Sequence, residues 1–251
     1  MEVIAIVNKK GGVGKTTTAL ATAAGLAQRG FSVLAIDLDS QANFSLTAKS
    51  ETDVIGAYEV LTGQEDINEA IQERPEYDLI AADNNLTSAD AAITETGKEY
   101  RLKEALQGLK KQYQYVIIDT PPNVGILTTN ALTAANRIVI TAQADTYSAA
   151  GLMQLSKSIT SIKKYCNTLL MLDGILLTRY NSRTLLSAHL HGTFEKLANE
   201  MKTKVYNTVI RENISLKEAQ AEKQSIFEYA PTSNGAADYN SFLDEVLTRK
   251  D

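Results

Sequence analysis

The chain is almost without cysteine: Cys166 is the one thiol in 251 residues. A single thiol cannot close an internal disulfide, and with two histidines in the sequence no Cys/His cluster of zinc spacing exists. That composition fits a reducing, cytoplasmic compartment. No apolar run approaches the roughly 20 residues of a membrane-spanning helix. Met1 runs straight into an apolar segment, which leaves no room for a cleavable leader. Repeats, low-complexity tracts and linkers are missing too. Nor is there an excess of positive charge: the net of −5 argues against a chain that is basic throughout for binding nucleic acid. What is present, 44% hydrophobic and 22% charged residues, fits a water-facing globular fold. The length suffices for one large α/β domain over residues 1–251 with a full core. Charge is uneven along it. Residues 40–112 carry 7 Lys/Arg against 14 Asp/Glu, whereas residues 151–224 carry 11 against 6, so one basic face could meet an acidic partner.

The stretch that organises the sequence is Lys9-Lys10-Gly11-Gly12-Val13-Gly14-Lys15-Thr16-Thr17-Thr18. It follows Val3-Ile4-Ala5-Ile6-Val7, which reads as a buried strand. It precedes Ala19–Arg29, rich in helix formers and stopped by Gly30. Strand, glycine-rich loop and helix form the context of a phosphate-binding loop. Glycines let the backbone wrap closely and aim its N–H groups at phosphate oxygens, and the helix start adds partial positive charge. Lys15 can reach the outer phosphates, and the Thr16 hydroxyl can ligate magnesium. Lys9 occupies the place of the pattern's first glycine, and Lys10 adds a second cation that like-charge repulsion disfavours unless a highly charged anion lies nearby.

Further apolar runs mark further strands. Phe31–Asp39 ends in two carboxylates, Asp37 and Asp39, which on one strand would share a face. Tyr77–Ala82 is a third candidate, and Tyr115-Val116-Ile117-Ile118-Asp119 ends in an aspartate followed by Thr120-Pro121-Pro122. An apolar strand ending in Asp119 suits a carboxylate near magnesium, and two prolines force an extended turn. Arg137–Ala142 and Leu170–Thr178 are two more buried strands. Ile55–Leu61 and Ile67–Ile71 read as short helices, and Ser88–Lys111 as one long polar helix packing through Leu102, Leu106 and Leu109. Strands alternating with helices predict a doubly wound, mostly parallel sheet with helices on both faces and right-handed crossovers. His189 and His191, two apart on a helix, read as surface or groove residues, not ligands.

The string Lys-Gly-Gly-Val-Gly-Lys-Thr-Thr resembles the deviant Walker A motif of the ParA/MinD class of P-loop ATPases, within it most closely the short Soj-type partition proteins. Asp37-Leu38-Asp39-Ser40-Gln41-Ala42-Asn43 resembles the family's Asp-x-Asp-Pro-Gln-x-Asn, with Ser40 for proline. Asp119-Thr120-Pro121-Pro122 resembles its Asp-x-Pro-Pro switch. The resemblance implies a magnesium-dependent ATPase that dimerises around two ATP molecules. Lys10 would reach the partner's nucleotide, Asp39 would orient the attacking water, and Asp37 would support magnesium with Thr16 and Asp119. Nucleotide would be held by Lys10, Gly11, Gly12, Val13, Gly14, Lys15, Thr16 and Thr17. On the adenine side the resemblance implies Thr178 and Arg179, in the loop to Thr184, and Ile210 and Arg211. There Arg211 and Glu212 stand where the family has proline and arginine, so backbone contacts are the ones expected to persist. It further implies a ParB-like partner that stimulates hydrolysis, plasmid or chromosome segregation, and a cytoplasmic, nucleoid-associated location. ATP-dependent, sequence-independent DNA binding would use Lys196, Lys202, Lys204, Lys217 and Lys223, although Ser215 takes the place of a family arginine.

Rival readings are narrower. A nitrogenase-type reductase needs two cluster cysteines per subunit, and a bacterial tyrosine kinase a terminal tyrosine cluster. A MinD-type membrane anchor needs lysines on the last helix, which here carries Asp238, Asp244 and Glu245, with Arg249 and Lys250 only at its end. Its Tyr239, Phe242, Leu243, Val246 and Leu247 predict docking on the sheet instead. A ParA-like regulator of a mobile element or of cell division, acting through protein partners without DNA, is the remaining alternative.

Overall fold

The computed structural model describes residues 1–51, 54–181 and 185–248, and within them all side chains but those of 146–147 and 185–189. Eight strands form one sheet: β1 (Glu2–Val7), β2 (Val33–Asp37), β3 (Ile71–Gln72), β4 (Asp78–Ile80), β5 (Tyr115–Asp119), β6 (Arg137–Gln143), β7 (Met171–Tyr180) and β8 (Val205–Arg211). Their order is β3-β4-β2-β5-β1-β6-β7-β8. All neighbours run parallel except the short edge pair β3–β4. The helices are α1 (Lys15–Gln28), α2 (Asn43–Thr47), α3 (Ala57–Thr62), α4 (Ala89–Ala92), α5 (Arg101–Gln107), α6 (Ile126–Ala134), α7 (Thr146–Tyr165), α8 (Leu185–Glu200), α9 (Ile214–Ala221), α10 (Ile226–Tyr229) and α11 (Asn234–Thr248).

The sheet is buried on both sides, which is why its strands read as continuous apolar runs instead of alternating ones. Along β1, Val3, Ala5 and Val7 enter one core with residues of α3, α5, α6, α7 and α8. Ile4 and Ile6 enter the other with residues of α1, α10 and α11. Because successive side chains alternate in face, one strand serves both cores. Tyr239, Phe242, Leu243 and Val246 of α11 are buried there, so the last helix docks as predicted. Arg249 and Lys250 lie outside the described residues.

Two readings of the chain need correction, and one strand was not foreseen. The long helix over Ser88–Lys111 is broken: α4 ends at Ala92, Gly97 takes φ +85°, and a 3-10 turn at Lys98–Tyr100 leads into α5. A left-handed residue cannot continue a right-handed helix, and Leu102 and Leu106 pack from α5 alone. Ile67–Ala70 is a 3-10 turn, and Ile71 begins β3 instead of ending a helix. The eighth strand lies in Val205–Arg211, a segment whose polar residues hid it; it is an edge strand with two register shifts against β7.

Candidate functional site

The apolar run of β1 delivers the chain to the C-terminal edge of the sheet, where α1 begins at Lys15. Gly12 and Gly14 adopt φ +74° and +79°, conformations open to glycine at little cost, and Gly14 is the N-cap of α1. The resulting loop lines a cavity of about 700 Å³ through Gly11, Gly12, Gly14, Lys15, Thr16 and Thr17. Val13 is buried beneath the loop, and its carbonyl accepts the Thr178 hydroxyl at 2.9 Å. The Gln143 amide ties the Gly12 carbonyl at 2.9 Å. The backbone cradle is thus built before any ligand enters.

Lys15 is buried and donates to the Lys10 carbonyl at 3.3 Å. Burial lowers its pKa, and the charges of Asp119 and Asp39 oppose that effect. Asp119, at the end of β5, is wholly buried, and neither of its oxygens has a hydrogen-bond partner in normal geometry among the described residues. Burial pushes its pKa well up and neighbouring Asp37 adds to this; the Thr16 hydroxyl and Lys15 pull it back. Two buried unpaired carboxylate oxygens beside a hydroxyl and an ammonium fit a hard, oxygen-seeking cation such as magnesium.

The two aspartates at the end of β2 meet differently from the strand geometry expected. β2 ends at Asp37, and a turn carries Asp39 to the cavity wall. Both oxygens of Asp37 are engaged: one accepts the Asp39 N–H at 3.0 Å, the other the Ser45 N–H at 2.9 Å and hydroxyl at 2.7 Å. Burial nevertheless pushes its pKa up to about 6. Asp39 accepts the Gln41 N–H at 3.0 Å.

Lys10 does not line the cavity. Its ammonium pairs with Asp145 at 2.7 Å and reaches the Ser148 hydroxyl at 3.5 Å, while Asp145 caps α7 by accepting the Ser148 N–H at 2.8 Å. On the far wall, Thr178, Arg179, Ile210 and Arg211 all line the cavity. Arg211, however, spends its side chain and its N–H on Asp238 at 2.6–3.1 Å. Arg179 pairs with Glu212 at 3.3 Å. The end of that loop, 182–184, lies outside the described residues.

The lysines expected to share one face do not. Lys217 and Lys223 line the cavity itself. Lys202 and Lys204 precede β8, and Lys196 lies on the last turns of α8. In a parallel sheet that places these three about 20 Å away, at the opposite end of the seven-residue strand. Lys204 sits 4.7 Å from the Tyr206 ring. His191 stands edge-on to Tyr180 and 3.7 Å from Glu195, away from the cavity lining; the His189 side chain is not among those described. Sequence reasoning missed several wall residues. Gln41 and Asn43 were signalled by their motif, whereas Leu46, Gln220 and Tyr239 carry no local signal because distant elements bring them in. Tyr239 meets Thr18 at 3.0 Å, and Gln220 meets Thr17 at 3.1 Å, so α9 and α11 both grip the first turn of α1.

Known proteins agree with this geometry. A family model described as an AAA domain matches residues 1–172. The sporulation initiation inhibitor protein Soj of Bacillus subtilis is 38% identical, over 98% of this chain and 98% of its own. The chromosome partitioning protein ParA of Myxococcus xanthus is 34% identical, over 98% of this chain and 88% of its own. Among solved structures, a cobyrinic acid a,c-diamide synthase from Mycobacterium smegmatis with bound ADP and magnesium is 32% identical at a TM-score of 0.84, covering 98% of this chain and 94% of that one. Full-length likeness at these identities, on a P-loop fold with the expected motifs in place, shows that the chain belongs to the Soj/ParA family of P-loop ATPases.

Proposed function

We propose that the chain hydrolyses ATP at this cavity as a magnesium-dependent partition ATPase whose working unit is a homodimer formed in the ATP state. One observation carries the reading: the glycine cradle, Lys15, Thr16 and Asp39 line a single cavity, with the wholly buried Asp119 behind it beside Thr16 and Lys15. The N–H groups of Gly11–Thr17 and the Lys15 ammonium bind the phosphates, Lys15 exchanging its long bond to the Lys10 carbonyl for a phosphate oxygen. Magnesium, when bound, would neutralise charge on the phosphate oxygens, with Thr16 and Asp119 as the residues that hold it. Asp37, with both oxygens in use, shapes the turn that presents Asp39 and acts on the metal site only by its charge. Asp39 orients the attacking water. Thr178, Arg179, Ile210 and the carbonyl of Arg211 form the base side.

Lys10 supports the dimer. That role rests on the family; in this chain Lys10 pairs with Asp145 and does not line its own cavity, which is compatible with a contact elsewhere. The partition role, a ParB-like stimulating partner, a cytoplasmic site and non-specific DNA binding rest on the family. For DNA the charge balance of residues 151–224 adds support, now through two separate lysine groups. The test is phosphate release from ATP and magnesium alone, then with a chelator. Turnover that stops on chelation supports the reading. Turnover that needs an added carboxylate acceptor and amide donor would point to an amide-forming ligase.

A further inference from the structure

The Asp119-Thr120-Pro121-Pro122 turn forms one wall of the cavity through Pro122 and runs by Gly125 into α6. The first N–H groups of a helix need acceptors, and Gly125, as N-cap, has no side chain to supply one. The acceptor comes from elsewhere in the chain: an Asp90 carboxylate oxygen takes the Ile126 N–H at 2.8 Å. Its negative charge also suits the positive end of this nine-residue helix. The fit at the junction is close. A Cβ on Gly125 would lie 2.8 Å and 3.1 Å from the two Asp90 oxygens. Asp90 is exposed, but the segment that carries it is anchored, because Leu86, Ala89 and Ile93 around it are buried in the core against α3 and α6. α6 is also tied to the next segment along: the Asn130 side chain accepts the Leu102 N–H of α5 at 3.0 Å and donates to the Lys98 carbonyl at 2.9 Å. Behind α4 the chain leads back to β4, where the Ala82 N–H meets the Ser45 hydroxyl that also binds Asp37. The segment 82–92 therefore reaches Asp37 through Ser45 at one end and bonds the start of α6, the helix that follows the Asp119–Pro122 turn, at the other.

We infer that Asp90 is a positioning residue for hydrolysis: it fixes the start of α6, and through it the Pro121–Pro122 wall, relative to the Asp39 turn. It touches no reacting atom and binds no nucleotide. The inference rests on the reading of the cavity as an ATPase site. A group that sets only the geometry of attack alters kcat and leaves nucleotide affinity alone.

The experiment compares wild type, Asp90→Ala, Asp90→Asn and Gly125→Ala for ATP affinity, kcat and melting temperature. Asp90→Ala is expected to lower kcat about fivefold to tenfold with ATP affinity within about twofold. Asp90→Asn keeps an acceptor oxygen and should restore at least about half of wild-type kcat. Gly125 has φ −94°, so alanine brings no backbone strain there and acts only by pushing the Asp90 carboxylate aside. Its loss of kcat should match that of Asp90→Ala and vanish in the Asp90→Ala background, where the added methyl has room. Wild-type kcat in Asp90→Ala, or additive losses in the double variant, would overturn the inference. So would melting temperature falling in step with kcat, with no rescue by asparagine, since that marks a purely structural cap. If Asp90→Ala does not fold, the Gly125→Ala comparison with Asp90→Asn decides alone. Wild type that releases no phosphate would instead reject the ATPase reading itself.

Discussion

Asp119 places an ionisable carboxylate in a fully buried position where, among the described residues, neither oxygen has a well-formed hydrogen bond, although Thr16 and Lys15 lie beside it. An unmet buried acceptor costs about 1–3 kcal/mol, and more when charged. In the proposed reading the ligand-free protein bears that burden to hold a site for a cation. Asp119→Asn is therefore expected to stabilise the ligand-free chain by up to about 3 kcal/mol and to erase any extra stabilisation that magnesium adds to ATP. Thermal melting with and without the two ligands measures both effects; a destabilised ligand-free variant would speak against the assignment. Lys15→Ala should instead weaken ATP binding itself, by about tenfold or more for one lost charge-assisted contact, which direct titration with nucleotide measures. At this scale the sequence was readable where a motif fixed the backbone, as at Gly11–Thr17. It was unreadable where a side chain had two possible partners. Nothing local told that Arg211 would turn to Asp238 or Lys10 to Asp145.

Among the elements, α1 is closely enclosed, with Thr18–Leu26 buried. A methyl at Gly25 would run into Leu243 of α11 and approach Phe227 of α10 at 2.9 Å. Gly25→Ala should thus destabilise by about 1–3 kcal/mol through overpacking, although alanine favours helices, with denaturant unfolding as the readout. Unchanged or raised stability would mean that α11 can shift. That contact matters for function because Tyr239 on α11 and Gln220 on α9 hold the first turn of the same helix beside the phosphate loop. The central strands were legible because burial on both faces leaves uninterrupted apolar runs. Edge elements were not. β8 carries Asn207 and Thr208, which bond to Glu245 of α11, so its polarity is satisfied by tertiary contacts that no local pattern shows. The region after β4 misled for a related reason: its leucines are spaced for a helix, while Gly97 breaks it.

For the whole molecule, two expectations follow from the placement of charge. Lys10 pairs with Asp145 of its own chain, and in the proposed dimer it would exchange Asp145 for a partner's phosphates. Lys10→Ala should bind ATP yet stay monomeric by light scattering, while Asp39→Ala with ATP should accumulate as dimer; equal dimers from both would reject action across the interface. DNA binding, if carried by lysines at two ends of β8, should need the ATP dimer and fall with salt at a slope of about −0.9 per phosphate neutralised. Lys196→Glu with Lys202→Glu, remote from the cavity, should reduce that slope and leave turnover unchanged. The family and its sheet were legible from three motifs in order, but the division of the lysines was not, because only the fold puts Lys217 and Lys223 beside the phosphate loop. All of this depends on hydrolysis at the P-loop cavity with Asp39 placing the water. The most direct measurement is phosphate release by wild type and by Asp39→Ala at saturating ATP and magnesium, with ATP affinity measured on both. The account predicts turnover by wild type, and from Asp39→Ala near-normal affinity with turnover lowered by about a hundredfold or more; equal phosphate release from the two proteins would contradict it.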